Sequence, residues 1–366
     1  MADILFATWD GGGNVPPALG LAARLGDRGH RVRFLGHDVQ RAAITAAGFE
    51  FTAYQKALPF SSASSNPPEV VAATFGDRGM GEDVVTEARS RPTDLVIIDC
   101  LLIGALHAAN QAGLRYVTLE HLFDGFLRTG WLNGMALAEP IRILEPARCW
   151  NSAAMTLVAS LAELDPGAAV RQPANLHYTG PMVTGSPRST TDSAVLVSLS
   201  TYNFPGQTLA MQNILDALAP LDTRIVVTTG PVIDGAKLQV PRNAVVHRFV
   251  PHRELMPHVS LVVGHGGHAT TMQALAHDLP VAVMPMHPLL DQPMVGEAVE
   301  AAGAGRLLRK EATPDELRPI LAELNQDGPH RTAAARLGAA IRAAHGADTG
   351  AELLDELIGQ PATGRY

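Results

Sequence analysis

The residues best suited to chemistry stand in one short run, His265-Gly266-Gly267-His268-Ala269-Thr270. It follows an apolar stretch at 261–264 that reads as a strand, and it opens onto a helical pattern. The C-terminal end of a parallel strand is where open α/β sheets receive ligands. Two glycines let the backbone come close. The His265 imidazole, the free N–H groups of a helix start and the Thr270 hydroxyl then suit a diphosphate without many cations. A second polar pair, Asp291-Gln292, follows the strand-like run at 281–284 and a proline-rich turn. A carboxylate beside an amide suits paired hydrogen bonds to vicinal sugar hydroxyls. Seven of the 14 histidines lie between His247 and His287. No HExxH spacing or carboxylate at ligand distance accompanies them, so the expectation is a site without metal.

A third candidate is Gly11-Gly12-Gly13, set between the first strand and a helix that opens at Pro16. A dinucleotide fingerprint would need glycine at 11, 13 and 16, and proline at 16 argues against that reading. A plain glycine turn is the competing one. A Walker lysine motif and a GxSxG nucleophile elbow are both missing from the sequence.

These loops need elements to hold them. Strand-like runs at 3–8, 31–35, 95–99, 116–119 and 155–159 alternate with amphipathic stretches at 16–25, 38–47 and 102–112. Continuous apolar strands separated by helices imply parallel sheets covered on both faces. The Gly-, Pro-, Ser- and Thr-rich segment at 180–193 breaks the rhythm and reads as a linker. Alternation then restarts, with strands at 195–199, 224–228, 244–247, 261–263, 281–284 and 305–308. Helices are expected at 207–217, 270–276, 292–301, 314–324, 332–344 and 351–358. The expected division is residues 1–184, a linker at 185–193, a second domain at 194–348, and a terminal helix at 349–366 that packs back on the first domain. The fold class is α/β: two Rossmann-like, doubly wound domains facing a cleft.

With 366 residues the chain exceeds one ordinary core of ~100–200 residues. Hydrophobic residues make up 46% and charged residues 17%, which excludes disorder. Lys plus Arg number 28 against 36 Asp plus Glu, a net charge of -8. That balance argues against a nucleic-acid partner, which would require a basic face. Two cysteines, Cys100 and Cys149, are too few for a disulfide framework. The most apolar stretch, 95–109, carries Asp99 and His107 and is too short to span a bilayer. A cytoplasmic protein with no membrane partner is expected; oligomeric state stays open, a homodimer included.

Taken together, the motifs resemble glycosyltransferase family 1, the GT-B transferases acting on natural products and other small acceptors. The likeness starts at Phe6-Ala-Thr-Trp-Asp-Gly-Gly-Gly-Asn-Val-Pro-Pro17 and Arg28-Gly-His-Arg-Val-Arg-Phe34. It is most specific from Phe249 to Gln292. Phe249-Val-Pro-His252 matches the family's Trp/Phe-x-Pro-Gln segment, and Leu255-Met-Pro-His258, the His265 run, Ala274-Leu275, Leu279-Pro280 and Asp291-Gln292 follow. The resemblance implies that Phe249 stacks on the nucleotide base, with the Val250 backbone and His252 nearby. It places His265 and Thr270 at the diphosphate, helped by Thr201, and Asp291 and Gln292 at the sugar, with Gly13, Gly267 and His268 counted among the donor-binding residues. His252 stands for the family's usual glutamine. The implied activity is metal-independent inverting transfer from a UDP- or dTDP-sugar to a small apolar or aromatic aglycone, such as a polyketide or a phenol. No cofactor is implied.

One departure is plain. Where the family carries its general-base histidine, this chain reads Gly13-Asn14-Val15-Pro16-Pro17, although the usual partner is present as Asp99. An amide has no useful proton affinity near neutral pH. Asn14 is therefore expected to orient the acceptor or Asp99, with proton removal falling to Asp99 or to an acidic acceptor. Acceptor recognition is expected from 54–75, irregular and a candidate lid, and from 120–137, where His121, Phe123, Phe126 and Trp131 line an apolar pocket or simply pack the domain. The competing functions are a GT-B nucleotide-sugar epimerase and a non-catalytic nucleotide-sugar-binding auxiliary.

Overall fold

The computed structural model describes residues 1–64, 66–188 and 194–360. They form two compact units, one of residues up to 182 together with 344–360, the other of residues between 183 and 343. The linker expected at 185–193 falls largely on 189–193, outside the described residues.

The first unit is built on seven parallel strands: Asp3–Ala7 (β1), Arg31–Gly36 (β2), Glu50–Ala53 (β3), Leu95–Asp99 (β4), Tyr116–Glu120 (β5), Met155–Val158 (β6) and Leu176–Tyr178 (β7). Their order is β3-β2-β1-β4-β5-β6-β7. β4 and β5 are buried along their whole length, which is why their apolar runs show no alternation. The order reverses between β1 and β4, and that reversal sets Asn14 and Asp99 at the ligand-receiving end of the sheet. The helix Val15–Asp27 takes Asn14 as its N-cap and prolines in its first turn, and buries Ala18, Leu21, Ala22 and Leu25. Helix Gly346–Gly359 adds Ala351, Leu354 and Leu357 to the same core. Its acidic face meets Arg28, which donates to Asp355 at 2.8 Å and to Glu352 at 3.0 Å.

Several elements of this unit depart from the expected pattern, two strands and two helices among them. β3 and β7 are short edge strands, and in each only one residue is fully buried, so neither produces a hydrophobic run. Helices Pro68–Phe75 and Arg78–Ser90 occupy a region read as irregular up to residue 75. The first lacks a polar cap and starts after Pro67, while Asp77 caps the second by accepting from the Gly79 N–H.

The second unit holds six parallel strands: Val195–Ser198 (β8), Ile225–Thr228 (β9), Ala244–His247 (β10), Leu261–Gly264 (β11), Val281–Val283 (β12) and Gly305–Leu307 (β13). The order is β10-β9-β8-β11-β12-β13, with the reversal between β8 and β11. The expected chemical run lies at that reversal. No helix among the described residues is long and apolar enough to cross a membrane.

Candidate functional site

In the second unit, β11 ends at Gly264 and the chain turns through His265, Gly266 and Gly267 into helix His268–Ala276. Gly266 has φ +87°, and a Cβ there would stand 2.7 Å from Val283 Cγ1 and 2.9 Å from the Gln292 carbonyl oxygen. Only glycine fits both demands. The turn thus aims the first N–H groups of a helix, one of them Thr270's, out of the sheet's C-terminal edge. Burial, with His252 beside it, presses the His265 imidazole down to about 4, so the ring is neutral. His265 Nδ1 is sealed from solvent and has no partner among the described residues. His268 is buried in the helix's first turn, and Thr270 is half-buried.

His252 is tied to the strand ends. Its Nε2 lies 3.1 Å from Ser198 Oγ and 3.4 Å from Thr228 Oγ1, and Thr228 donates to Ser198 at 2.7 Å. Sequence reasoning missed both hydroxyls, because an isolated Ser or Thr at a strand end carries no signal. Thr201 is exposed just beyond β8, where Gln207 Nε2 holds the Ser200 carbonyl at 2.6 Å. Phe249 follows β10 with 77% of its surface open, next to half-buried Val250.

Asp291 occupies the N-cap position of helix Gln292–Ala301 without a side-chain capping bond. Gln292 is buried, and its Oε1 accepts from Met286 N at 2.7 Å and His287 N at 3.2 Å. The carbonyl end of the amide therefore fixes the loop after β12, and its Nε2 donors are left for other partners. Lys310, which no motif flagged, donates from Nζ to the Met286 carbonyl at 3.0 Å and stiffens the same loop.

In the first unit, Asn14 is 2% exposed. Its Nδ2 donates to Thr8 Oγ1 at 3.1 Å and to the Trp9 carbonyl at 3.0 Å, and Gln40 Nε2 donates to that same carbonyl at 2.8 Å. None of these bonds reaches Asp99, so the expectation that Asn14 orients Asp99 is corrected: both amide hydrogens knit the loop after β1. Asn14 Oδ1 is sealed and has no partner among the described residues. Gly13 is exposed in the same turn. The partner Asp99 does have is His121, whose Nδ1 lies 3.2 Å from Asp99 Oδ2.

Phe123, Phe126 and Trp131 sit in the packed interior. Phe123 has no exposed surface, and Trp131 lies 5.6 Å from the Trp150 ring and 6.3 Å from Phe75. Beneath His121, Glu120 and Asp124 are both fully buried. Burial, then the neighbouring Asp124 charge, pushes the Glu120 carboxyl well up. Arg128 Nε donates to Asp124 at 2.6 Å.

Comparison with known proteins agrees with this layout. Residues 212–357 match the C-terminal domain family of erythromycin biosynthesis protein CIII-like proteins. The chain is similar to YojK, an uncharacterised UDP-glucosyltransferase of Bacillus subtilis strain 168, at 22% identity over 405 aligned positions and 98% of each chain. It is also similar to a PGL/p-HBAD biosynthesis rhamnosyltransferase of Mycobacterium bovis BCG. There the identity is 34% over 193 residues, which cover 51% of this chain and 42% of that protein. Among solved structures, the glycotransferase of kitacinnamycin overlaps 98% of this chain and 99% of its own with a TM-score of 0.81 at 23% identity. The fold is GT-B, and the resemblance read from the sequence holds.

Proposed function

From a chain with the GT-B glycosyltransferase fold and an erythromycin CIII-like C-terminal match, we propose an inverting glycosyltransferase that uses a UDP- or dTDP-sugar and glycosylates a small natural product. The observation that carries this reading is the His265-Gly266-Gly267 turn at the strand-order reversal of the second sheet. It offers a neutral imidazole and a helix N-terminus to an anion, which suits a diphosphate that must leave with increased charge. Charge pairing is not needed to hold it.

The remaining roles follow. Phe249 stacks on a pyrimidine base, which exposed aromatic rings accept with little sequence demand. Thr201 and Thr270 hydroxyls add diphosphate contacts. Asp291 accepts from sugar hydroxyls while Gln292 Nε2 donates to them. The acceptor oxygen attacks the anomeric carbon from the face opposite the diphosphate, so configuration inverts in a single displacement. No metal is required when the helix terminus and imidazole stabilise the leaving group.

The test is incubation of the purified protein with UDP-glucose and dTDP-glucose and a panel of phenolic and polyketide acceptors. One donor should raise the melting temperature selectively by mass action. Product formation should survive exhaustive chelation, and proton NMR coupling at the anomeric carbon should show inversion. Retention of configuration, or a strict requirement for one divalent ion, overturns the mechanism.

A further inference from the structure

We propose that His121, held by Asp99, is the general base of the transfer reaction; the proposal rests on the transferase reading above. Asp99 ends β4 and His121 follows β5, and these strands pair in register with Asp99 opposite Leu119. The carboxylate is fixed on one side, where Asp99 Oδ1 accepts from Leu101 N at 3.0 Å. On the other side Oδ2 lies 3.2 Å from His121 Nδ1. Each residue is 7% exposed, so the pair is shielded without being closed off. Cys100 Sγ stands 3.8 Å from the same Nδ1, and burial pushes its thiol up, so it stays protonated and uncharged beside the pair.

A carboxylate at Nδ1 selects the tautomer with its proton there, which leaves the lone pair on Nε2. His121 Nε2 makes no hydrogen bond to a described residue, and it is not among the sealed, partnerless atoms of the interior. It is a basic atom at the ligand-receiving end of the sheet. Asn14, on the loop after β1, has no such atom to offer. The imidazole thus comes from the loop after β5, two strands away from β1 in the sheet, and pairs with the carboxylate that ends β4. In the reaction the acceptor O–H proton passes to Nε2 as its oxygen bonds the anomeric carbon. The bond from that carbon to the diphosphate oxygen breaks, and its electron pair leaves with the nucleoside diphosphate. Asp99 balances the imidazolium, which returns its proton to water.

The experiment compares wild type, His121→Ala, His121→Gln and Asp99→Asn in transfer from UDP-glucose or dTDP-glucose. Acceptors run from 4-nitrophenol through phenol to benzyl alcohol. His121→Gln should lose ~10²–10⁴-fold in kcat toward the least acidic acceptors and much less toward 4-nitrophenol, at unchanged donor KM. Added imidazole should restore turnover to His121→Ala and leave Asp99→Asn slow. If His121→Ala does not fold, the His121→Gln acidity series decides. A folded His121 variant with wild-type turnover, or a loss equal for all acceptors and not rescued by imidazole, overturns the assignment of the base alone. A wild-type protein that binds the diphosphate yet transfers from neither donor overturns the transferase reading itself.

Discussion

The imidazole of His265 occupies the space that a side chain at position 267 would need: a Cβ on Gly267 would stand 2.6 Å from His265 Nε2. The ring therefore folds over the backbone that leads into helix His268–Ala276. Gly267→Ala should swing the ring away and weaken UDP or dTDP binding while leaving the fold intact. Losing one hydrogen bond to a charged group costs about 1.5–3 kcal/mol, and His265→Ala should lose a similar amount. Calorimetry decides. Diphosphate affinity unchanged in both folded variants would remove His265 from the site.

Asp291 and Gln292 should come apart as mutants although they are neighbours in sequence. Gln292 accepts from two backbone N–H groups of the loop after β12. Gln292→Ala leaves those donors unpaired, at about 1–3 kcal/mol for each buried one, so it should lower the melting temperature and weaken the free diphosphate too, with a larger loss for the nucleotide sugar. Gln292→Glu keeps the acceptor and should restore stability but lose the donors to the sugar. Asp291→Asn should weaken the nucleotide sugar and spare the free diphosphate. Equal losses for the two ligands in Asp291→Asn would make that residue structural.

The parts of this site written in local sequence were legible. A glycine pair after an apolar strand means a tight turn into a helix, and His265-Gly266-Gly267 is one. Central strands such as Leu95–Asp99 announce themselves because both faces are buried. Edge strands do not, since Glu50–Ala53 needs only Phe51 inside. The Asp99–His121 pairing was beyond reach: both residues were picked out, but their contact depends on the register of β4 with β5. Nor does sequence tell a pocket-lining aromatic from a packed one. Phe123 and Trp131 have the same composition signal in either place, and the tertiary packing puts them inside.

Stability should fall away on both sides of a pH optimum, for opposite reasons. Glu120 has its carboxyl raised in the folded state, mainly by burial. As pH climbs above the ordinary carboxylate range, the unfolded chain releases that proton and the native state keeps it. Stability therefore drops with rising pH until the folded group also ionises. His265 is the reverse case, held at about 4 against an ordinary 6.5. From 6.5 down toward 4 the unfolded chain takes up a proton the native state refuses, so stability drops as pH falls. His37, His252 and His277, also lowered by burial, act in the same direction. Urea midpoints measured across pH should show Glu120→Gln flattening the alkaline limb and His265→Gln softening the acid one. Parallel curves for wild type and Glu120→Gln would mean that the carboxyl is ionised in the native state.

Asn14 should behave as a loop-holding residue, separate from the proton transfer. Its two amide hydrogens are spent on Thr8 Oγ1 and the Trp9 carbonyl, and a Cβ on Gly11 would stand 2.8 Å from its Oδ1. There is little room for a larger group. Asn14→Ala removes two buried hydrogen bonds, at about 0.5–1.5 kcal/mol each, and should be seen first in the melting temperature. The sealed Oδ1 remains the one part of the side chain able to accept from an acceptor hydroxyl, so a modest rise in acceptor KM is expected. Turnover at saturation should fall far less than in Asp99→Asn, which removes the negative charge behind His121. Asn14→His would place a ring where the loop is closed over an amide, and should destabilise the turn without supplying a better base. Two results would reverse this reading. The first is Asn14→Ala matching Asp99→Asn in lost kcat at unchanged stability, and the second is Asn14→His outpacing wild type on alkyl alcohols; either would put the proton transfer on the loop after β1.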